Sequence, residues 1–243
     1  MTKIIGIIPA RYASTRFPGK PLIDIGGKSM IQRVYEQCKS AISLTDVIVA
    51  TDDSRIADHV LSFGGKVVLT NINHQSGTDR CAEVVAQYAG TCDAVINIQG
   101  DEPFINPIQI ELLAQALQKS STQIVTLFKK IKSNEDVQNP NVVKVVADVN
   151  NNAIYFSRAA IPYRRNHGFE IVYNKHVGIY GYRKDVLEQI TKLPLGILEQ
   201  AESLEQLRWV ENGYKITLQE TDLETIAIDT PDDLEKVLAK LNK

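Results

Sequence analysis

The sequence has few cysteines and no long apolar stretch, and both shortages limit the kind of protein it can be. Its three cysteines, Cys38, Cys81 and Cys92, have neither C-x-x-C nor metal-ligand spacing, which argues against a disulfide framework and favours a reducing compartment. The apolar run at residues 3–8 is too short for a signal peptide and ends at Pro9. Because no stretch approaches the length of a membrane span, we expect a soluble, cytoplasmic protein that has no membrane partner.

The chain also has little net charge. Its 27 Lys and Arg residues nearly balance 29 Asp and Glu residues, which gives a formal net charge of −2. This balance provides no general attraction to nucleic acid, so we expect no nucleic-acid partner and only local anion sites. With 44% hydrophobic residues over 243 positions, the composition is that of a globular protein with one large domain or a core and a smaller lobe.

Two common phosphate-binding motifs are missing. Gly27-Lys28-Ser29 has the ending of a Walker A loop, but that motif requires glycine where the sequence has Leu22. No G-x-G-x-x-G follows the first apolar run, so the dinucleotide-binding fingerprint is missing as well. The segment GGKS therefore predicts a turn that leads into a helix.

What is present is an alternation of short apolar runs with amphipathic stretches. The apolar, β-branched runs predict buried parallel strands at 3–9, 46–51, 66–69 and 93–98. The amphipathic stretches predict helices at 28–41, 53–63, 78–90, 107–119 and 231–241. Repeated βαβ order predicts an α/β fold, a doubly wound and mostly parallel sheet with helices on both faces.

The pattern changes near Val142. Strand-like segments at 142–148, 153–158 and 176–183 follow one another without long helices, which predicts an inserted mixed or antiparallel sheet region at about 142–212. The polar segment 162–173 is expected to be an exposed loop. Further strands are predicted at 215–219 and 224–228. The whole chain, residues 1–243, is expected to form a single domain.

A basic loop follows the first predicted strand. Residues 1–23 contain no acidic side chain, whereas Arg11, Arg16 and Lys20 lie within ten positions of one another. In an open α/β sheet, ligands bind beyond the carboxyl ends of the strands, where this loop is expected. Its cations, serine and backbone amides suit a polyphosphate. The alternative is a solvated basic loop.

Two aspartates are predicted at the ends of strands. Asp101 follows the run at 93–98, and Asp229 precedes a helix start formed by Thr230 and Pro231. If the two strand ends are neighbours, the carboxylates form a pair suited to Mg²⁺ together with phosphate oxygens. The alternative for Asp101 is a turn or capping residue.

Three further segments carry polar residues with more than one interpretation. Ser76 and Asp79 are expected to cap a helix, although Arg80 beside them could contact a base edge. Gly178 and Gly181 within a predicted strand indicate close approach by a ligand or another element. Tyr182 on that strand could bind a sugar or pack in the core, and the segment 204–208 favours an amphipathic helix.

Taken in order, several segments resemble one known family. IIPARYASTRFPGKPL, HQSGTDR, QGDEP, NPNVVKVV, FSRAAIP, HVGIYGYR, LEQLR and DTPDDL resemble blocks of the 3-deoxy-manno-octulosonate (KDO) cytidylyltransferases, or CMP-KDO synthetases. The resemblance covers essentially the whole chain. It implies a nucleotidyltransferase fold whose inserted region binds the sugar and forms a homodimer. It also implies Mg²⁺ as cofactor, CTP and KDO as substrates, and CMP-KDO for lipopolysaccharide synthesis as product, with pyrophosphate released.

The resemblance also implies roles for individual residues. Those implied to bind CTP are Arg11, Ser14, Lys20, Ser76, Thr78, Arg80 and Gln99. Those implied to bind KDO are Arg158, His176, Tyr182, Glu205 and Gln206. Asp101 and Asp229 are the implied Mg²⁺ ligands, and with Arg11 and Lys20 they form the implied catalytic set.

Other functions remain as alternatives. A cytidylyltransferase for 8-amino-KDO or sialic acid keeps the chemistry and changes the sugar, and segments 156–183 and 204–208 distinguish them. A nucleotide-binding regulator without turnover would have no need of the separated aspartate pair.

Overall fold

The structure is a computed structural model that describes residues 2–13, 17–166, 168–224, 227–228 and 230–241. The candidate site residues Ser14 and Asp229 lie outside the described residues. The strands are β1 (Ile4–Ala10), β2 (Leu44–Thr51), β3 (Val67–Leu69), β4 (Ala94–Asn97), β5 (Ile124–Lys130), β6 (Lys144–Ala147), β7 (Ala153–Ser157), β8 (Asn174–Arg183) and β9 (Ile216–Glu220). The helices are α1 (Met30–Lys39), α2 (Ser54–Ser62), α3 (Gly77–Gln87), α4 (Pro107–Leu117), α5 (Asn134–Gln138), α6 (Lys184–Ile190), α7 (Ile197–Glu202), α8 (Gln206–Glu211) and α9 (Pro231–Leu241).

The described strands form one sheet in the order β3-β2-β1-β4-β8-β5-β9. β1 pairs in parallel with β2 and β4, and β5 pairs in parallel with β9. β8 runs antiparallel between β4 and β5, and β6 pairs antiparallel with β7 and β8. The predicted fold class, a doubly wound sheet with an antiparallel inserted region, is confirmed.

Helices cover both faces of this sheet because β1 is apolar on both sides. Ile4 and Ile8 pack into a core that includes α1, α2 and α4. Ile5 and Ile7 pack into the opposite core, which includes α3, α6 and α8. A strand that is buried on both faces has a continuous run of apolar residues, and the sequence has such a run here.

Two element predictions need correction. The strand β5 was not assigned from the sequence, although it is the neighbour of both β8 and β9. The strand predicted at 224–228 is wrong where the structure describes it, because Glu224, Ala227 and Ile228 lie outside any strand. The Glu224 carboxylate instead forms ion pairs with Lys129 and Lys175. None of the described helices has both the length and the apolarity that crossing a bilayer requires.

Candidate active site

A cleft of about 280 Å³ lies beyond the carboxyl ends of β1 and β4. Parallel pairing of these strands aligns their ends, since Ile7 is paired with Asn97. The loops that follow them, together with the start of α3, form the walls. Of the predicted CTP and metal residues, the cleft brings together Arg11, Lys20, Ser76, Arg80, Gln99 and Asp101.

Two glycines allow the walls of the cleft to come together. A side-chain Cβ at Gly100 would lie 2.6 Å from the backbone oxygen of Pro9, so a larger residue would push β1 and the loop after β4 apart. Gly19 has a φ of 71° and donates its N–H to the Tyr12 carbonyl at 3.0 Å, which closes the basic loop just before Lys20. Both positions therefore shape the site through the backbone.

Lys20 and Asp101 form an ion pair at the edge of the cleft. Lys20 Nζ lies 2.8 Å from Asp101 Oδ2, with 14% of the lysine and 30% of the aspartate side chain exposed. The Asp101 carbonyl also accepts the Ile228 N–H at 3.0 Å, which places the residue preceding Asp229 beside Asp101. Positive and negative charge are thus held next to each other where the cleft meets solvent.

The segment 74–80, which carries three of the residues implied to bind CTP, is fixed by two sets of hydrogen bonds. Ser76 and Asp79 form the predicted capping box at the start of α3. Arg80 is buried, and its guanidinium donates to Thr70 Oγ1 at 2.7 Å and to Asp52 Oδ2 at 2.5 Å. These contacts tie α3 to the ends of β2 and β3, so Arg80 holds the wall of the cleft in place.

His74, for which the sequence predicted no role, also lines this cleft. Its Nε2 lies 2.5 Å from Glu83 Oε2, so a carboxylate six residues into α3 orients the ring. Arg11 and His74 also line an adjacent cleft of about 180 Å³. Only the position of His74 at the start of HQSGTDR could have indicated a place in the site.

The predicted nucleotide and sugar residues meet through one hydrogen bond. Thr78 Oγ1 on α3 donates to Glu205 Oε2, just before α8, at 2.9 Å. Burial raises the pKa of the Glu205 carboxyl, and hydrogen bonds from Thr78 and Ser76 offset part of that effect. This contact joins the two halves of the candidate site.

An aromatic cluster lies beneath this contact. Tyr182 stacks on Tyr180 at 5.9 Å between ring centroids, and both rings meet the edge of Trp209, at 5.5 and 5.2 Å respectively. The Tyr182 hydroxyl and Gln206 Nε2 are buried and have no hydrogen-bond partner among the described residues. Buried polar atoms are normally bonded, so these groups are suited to a polar ligand. Trp209 was not predicted, and its only signal was its place in the amphipathic pattern that begins at 204.

His176 extends the cluster, and burial lowers the pKa of its ring to about 3. The ring packs against Phe156 and Tyr180, and Nε2 lies 3.0 Å from Thr126 Oγ1. Thr126 donates its own proton to the Ile179 carbonyl at 2.7 Å, so we infer that neutral His176 donates to Thr126. A neutral ring that donates its Nε2–H to Thr126 retains only Nδ1, as an acceptor, for a ligand and carries no charge.

The low pKa of His176 predicts that the protein loses stability in acid. The folded-state pKa lies below the unfolded value of 6.5. The unfolded chain therefore binds the extra proton first, and stability falls as the pH drops from about 6.5 towards about 3. Because His176 is only partly buried as a residue, we expect a loss on the order of 2 kcal/mol rather than the full linkage value. Urea unfolding across this pH range measures it.

His176→Gln keeps a donor for Thr126 and removes the titration, so its stability should fall less steeply over the same range. His59→Gln is the matched control, since His59 Nε2 also bonds a hydroxyl, Ser29 Oγ at 2.7 Å. An unchanged acid dependence in His176→Gln would contradict the assignment.

Arg158 lies in a different environment from the rest of the predicted sugar set. Its guanidinium donates to the backbone carbonyls of Glu202 at 2.7 Å, Pro140 at 3.1 Å and Ser203 at 3.4 Å. Direct binding of a sugar by Arg158 stays a prediction.

Comparison with known proteins gives one consistent family. A family model for cytidylyltransferases matches residues 5–216. The chain is 55% identical over 250 residues to the 3-deoxy-manno-octulosonate cytidylyltransferase of Parabacteroides distasonis, covering 99% of both chains. It is 55% identical over 240 residues to the enzyme of the same name from Bacteroides thetaiotaomicron, covering 96% of this chain and 95% of that one. Among solved structures, CMP:2-keto-3-deoxy-manno-octonic acid synthetase complexed with CTP matches with a TM-score of 0.94 at 46% identity over 99% of both chains.

Proposed function

We propose, from the premise that this chain belongs to the cytidylyltransferase family, that it transfers CMP from CTP to the anomeric hydroxyl of KDO. Pyrophosphate leaves, and CMP-KDO is supplied for lipopolysaccharide synthesis. The observation that carries the proposal is the cleft at the ends of β1 and β4, where Lys20, Asp101 and Gln99 face the start of α3. Full-length similarity to a synthetase complexed with CTP supports it.

The reaction requires no covalent intermediate with the protein. The anomeric hydroxyl gives up its proton and its oxygen attacks the α-phosphorus in line, so that a new P–O bond forms while the bond to the leaving pyrophosphate breaks. Positioning and neutralisation of charge supply most of the catalysis in such a displacement. Lys20 and Arg11 would balance the negative charge of the leaving group. Thr78 and Glu205 would hold the sugar next to the nucleotide.

Asp101 gives the cleft a carboxylate that could bind Mg²⁺ together with phosphate oxygens. Asp101 presents a partly exposed carboxylate beside a cleft suited to phosphates, and carboxylate oxygens are ligands that Mg²⁺ prefers. We propose Asp101 and Asp229 as its ligands, supported by the hydrogen bond between Ile228 and Asp101. The ion would supply Lewis-acid polarisation of a phosphate oxygen.

We also propose a homodimer formed through the inserted region. The loop between β7 and β8 exposes large apolar side chains, Tyr163 at 86%, Val172 at 58% and Phe169 at 55%. Exposed apolar groups in one segment support an interface with a second copy. A cytoplasmic location is proposed together with it, supported by the free cysteines Cys38, Cys81 and Cys92.

A pyrophosphate-release assay with CTP and Mg²⁺ tests the function. We expect kcat/KM for KDO to exceed that for N-acetylneuraminate by at least about 100-fold. A site built to hydrogen-bond the hydroxyls of one sugar discriminates strongly against another sugar, because that sugar leaves buried polar groups of the site unpaired. The 8-amino sugar is the third substrate in the series. A higher kcat/KM for N-acetylneuraminate than for KDO would identify a sialic acid cytidylyltransferase. CTP binding without pyrophosphate release would favour a nucleotide-binding regulator.

A further inference from the structure

Lys144 on β6 is a lysine with no solvent exposure. Its ammonium donates to the backbone carbonyls of Val142 at 2.6 Å, Asn139 at 2.9 Å and Arg158 at 2.6 Å. A lysine has three N–H donors, and here each has an acceptor. The side chain therefore joins the segment before β6 to the segment after β7.

Burying the Lys144 ammonium costs desolvation free energy, so stability alone is a poor explanation for it. Lysine is almost never fully buried without a partner, and burial lowers the pKa of the Lys144 ammonium, as does the nearby charge of Arg158, while Glu202 acts in the opposite direction. Apolar residues of similar volume often replace buried charges without loss of stability. A buried charge at this position therefore indicates a role other than stabilising the core.

Arg158 continues the connection from Lys144 to α7. Its carbonyl accepts from Lys144, while its backbone N–H donates to Glu202 Oε2 at 2.9 Å. Its Nε donates to the Glu202 carbonyl at 2.7 Å, and Ser157 Oγ donates to Glu202 Oε1 at 2.6 Å. Ser203, with a left-handed φ of 52°, then ends α7. Every step is a direct hydrogen bond, so the end of α7 is held by the network that Lys144 begins.

The segment held in this way leads straight into the predicted sugar residues. Glu205, two residues after Ser203, accepts from Thr78, and Gln206 follows with its buried Nε2. We infer that Lys144 is a positioning residue that, through Arg158 and Glu202, fixes Glu205 and Gln206 for the sugar acid; this rests on the proposed function. Lys144 itself is fully buried and lines neither cleft.

Replacement of Lys144 by methionine tests this role. Methionine fills the space but removes the ammonium donor from the three carbonyls, of which Asn139 still accepts the Val142 N–H at 3.1 Å, so the end of α7 should loosen. Because small displacements of positioning groups have large kinetic effects, we expect KM for KDO to rise at least about tenfold while KM for CTP changes less than about twofold. Lys66→Met removes an ion-paired lysine elsewhere and should leave both KM values unchanged. Val34→Ala, at a core position of α1, controls for a general loss of stability.

Glu202→Gln is a second variant, milder for folding, that removes one acceptor at the other end of the network and should show the same selective rise. Hydrogen exchange of the amides at 199–208 should become faster in both variants and not in Val34→Ala. Unchanged exchange and an unchanged KM for KDO in folded protein, or equal rises in both KM values, would overturn the inference. Wild-type protein in the same assay separates this result from failure of the proposed function, and the exchange measurement does not depend on turnover.

Discussion

Replacing Asp101 by asparagine is expected to reduce turnover by at least about a thousandfold, because a neutral amide is a poor ligand for a hard cation that stabilises charge on the phosphates. The fold should survive the change. The Asp101 carbonyl keeps its hydrogen bond from Ile228, and a partly exposed ion pair such as the one with Lys20 contributes at most about 1 kcal/mol. We therefore expect Tm to fall by no more than about 4 °C.

The measurement is pyrophosphate release as a function of Mg²⁺ concentration, with Tm recorded for each variant. Asp58→Asn is the matched control, since Asp58 is exposed on α2 and is not part of either cleft lining. Substantial Mg²⁺-dependent activity in Asp101→Asn would reject a metal role. Unfolding of the variant would instead identify Asp101 as a turn residue that the fold requires.

The double variant with Asp229→Asn tests whether the two aspartates share one ion. Residues that act as a unit lose activity together rather than additively. We expect Asp101→Asn with Asp229→Asn to be no slower than the slower single variant. Fully additive losses would assign the two carboxylates to separate functions.

The position of the cleft could be predicted from the sequence because it depends on strand order and strand ends. The uninterrupted apolar run at Ile4–Ala10 identified a strand buried on both faces. Parallel pairing with β4 then placed the loop that ends at Lys20 beside Asp101. The helix starts were equally local, so the capping pair Ser76 and Asp79 and the turn GGKS that leads into α1 were confirmed.

The partners of charged side chains could not be predicted, because they come from distant segments. Arg158 bonds backbone carbonyls that carry no sequence signature, and Lys144 looked like one residue of an alternating strand. Nor does the sequence show that Phe156 and Tyr180 pack against His176, where burial lowers the pKa of the ring to about 3. Burial decides these roles, and burial depends on the insertion of β8 between β4 and β5.

The two glycines of β8 show how far a local pattern can be interpreted. A Cβ at Gly181 would lie 2.8 Å from Leu117 Cδ1, so the close approach by another element that the sequence indicated is confirmed there. At Gly178 a Cβ would have nothing within 4 Å, and the residue contributes its carbonyl, which accepts from Gln99 Nε2 at 2.8 Å. Glycine in a strand thus indicates that the backbone at that position makes a close contact or a hydrogen bond, and only the structure shows which of the two it is.

Replacing Lys20 by alanine is expected to lower kcat/KM for CTP by about 100- to 1,000-fold, the range found when one preorganised charge-stabilising group is lost. Only 14% of the Lys20 side chain is exposed, and its ammonium is held 2.8 Å from Asp101 at the wall of the cleft. The charge is in place before the pyrophosphate leaves, so little reorganisation accompanies the reaction. Arg11→Ala should act in the same direction and by less, because Arg11 is exposed.

The effect of Lys20→Ala should be selective for the nucleotide, with KM for KDO changed by less than about threefold. The reason is that the lost ammonium group would interact with the phosphates and not with the sugar. Lys28→Ala is the matched control, because Lys28 Nζ also pairs with a carboxylate, Glu36 Oε2 at 2.6 Å, but with 46% of its side chain exposed and outside the cleft. That pair is of the exposed kind that contributes little. Initial rates over a CTP series at saturating KDO and Mg²⁺ decide the question. Wild-type kinetics for CTP in Lys20→Ala would make the segment from Arg11 to Lys20 a solvated basic loop, and the phosphates would then require another set of cations.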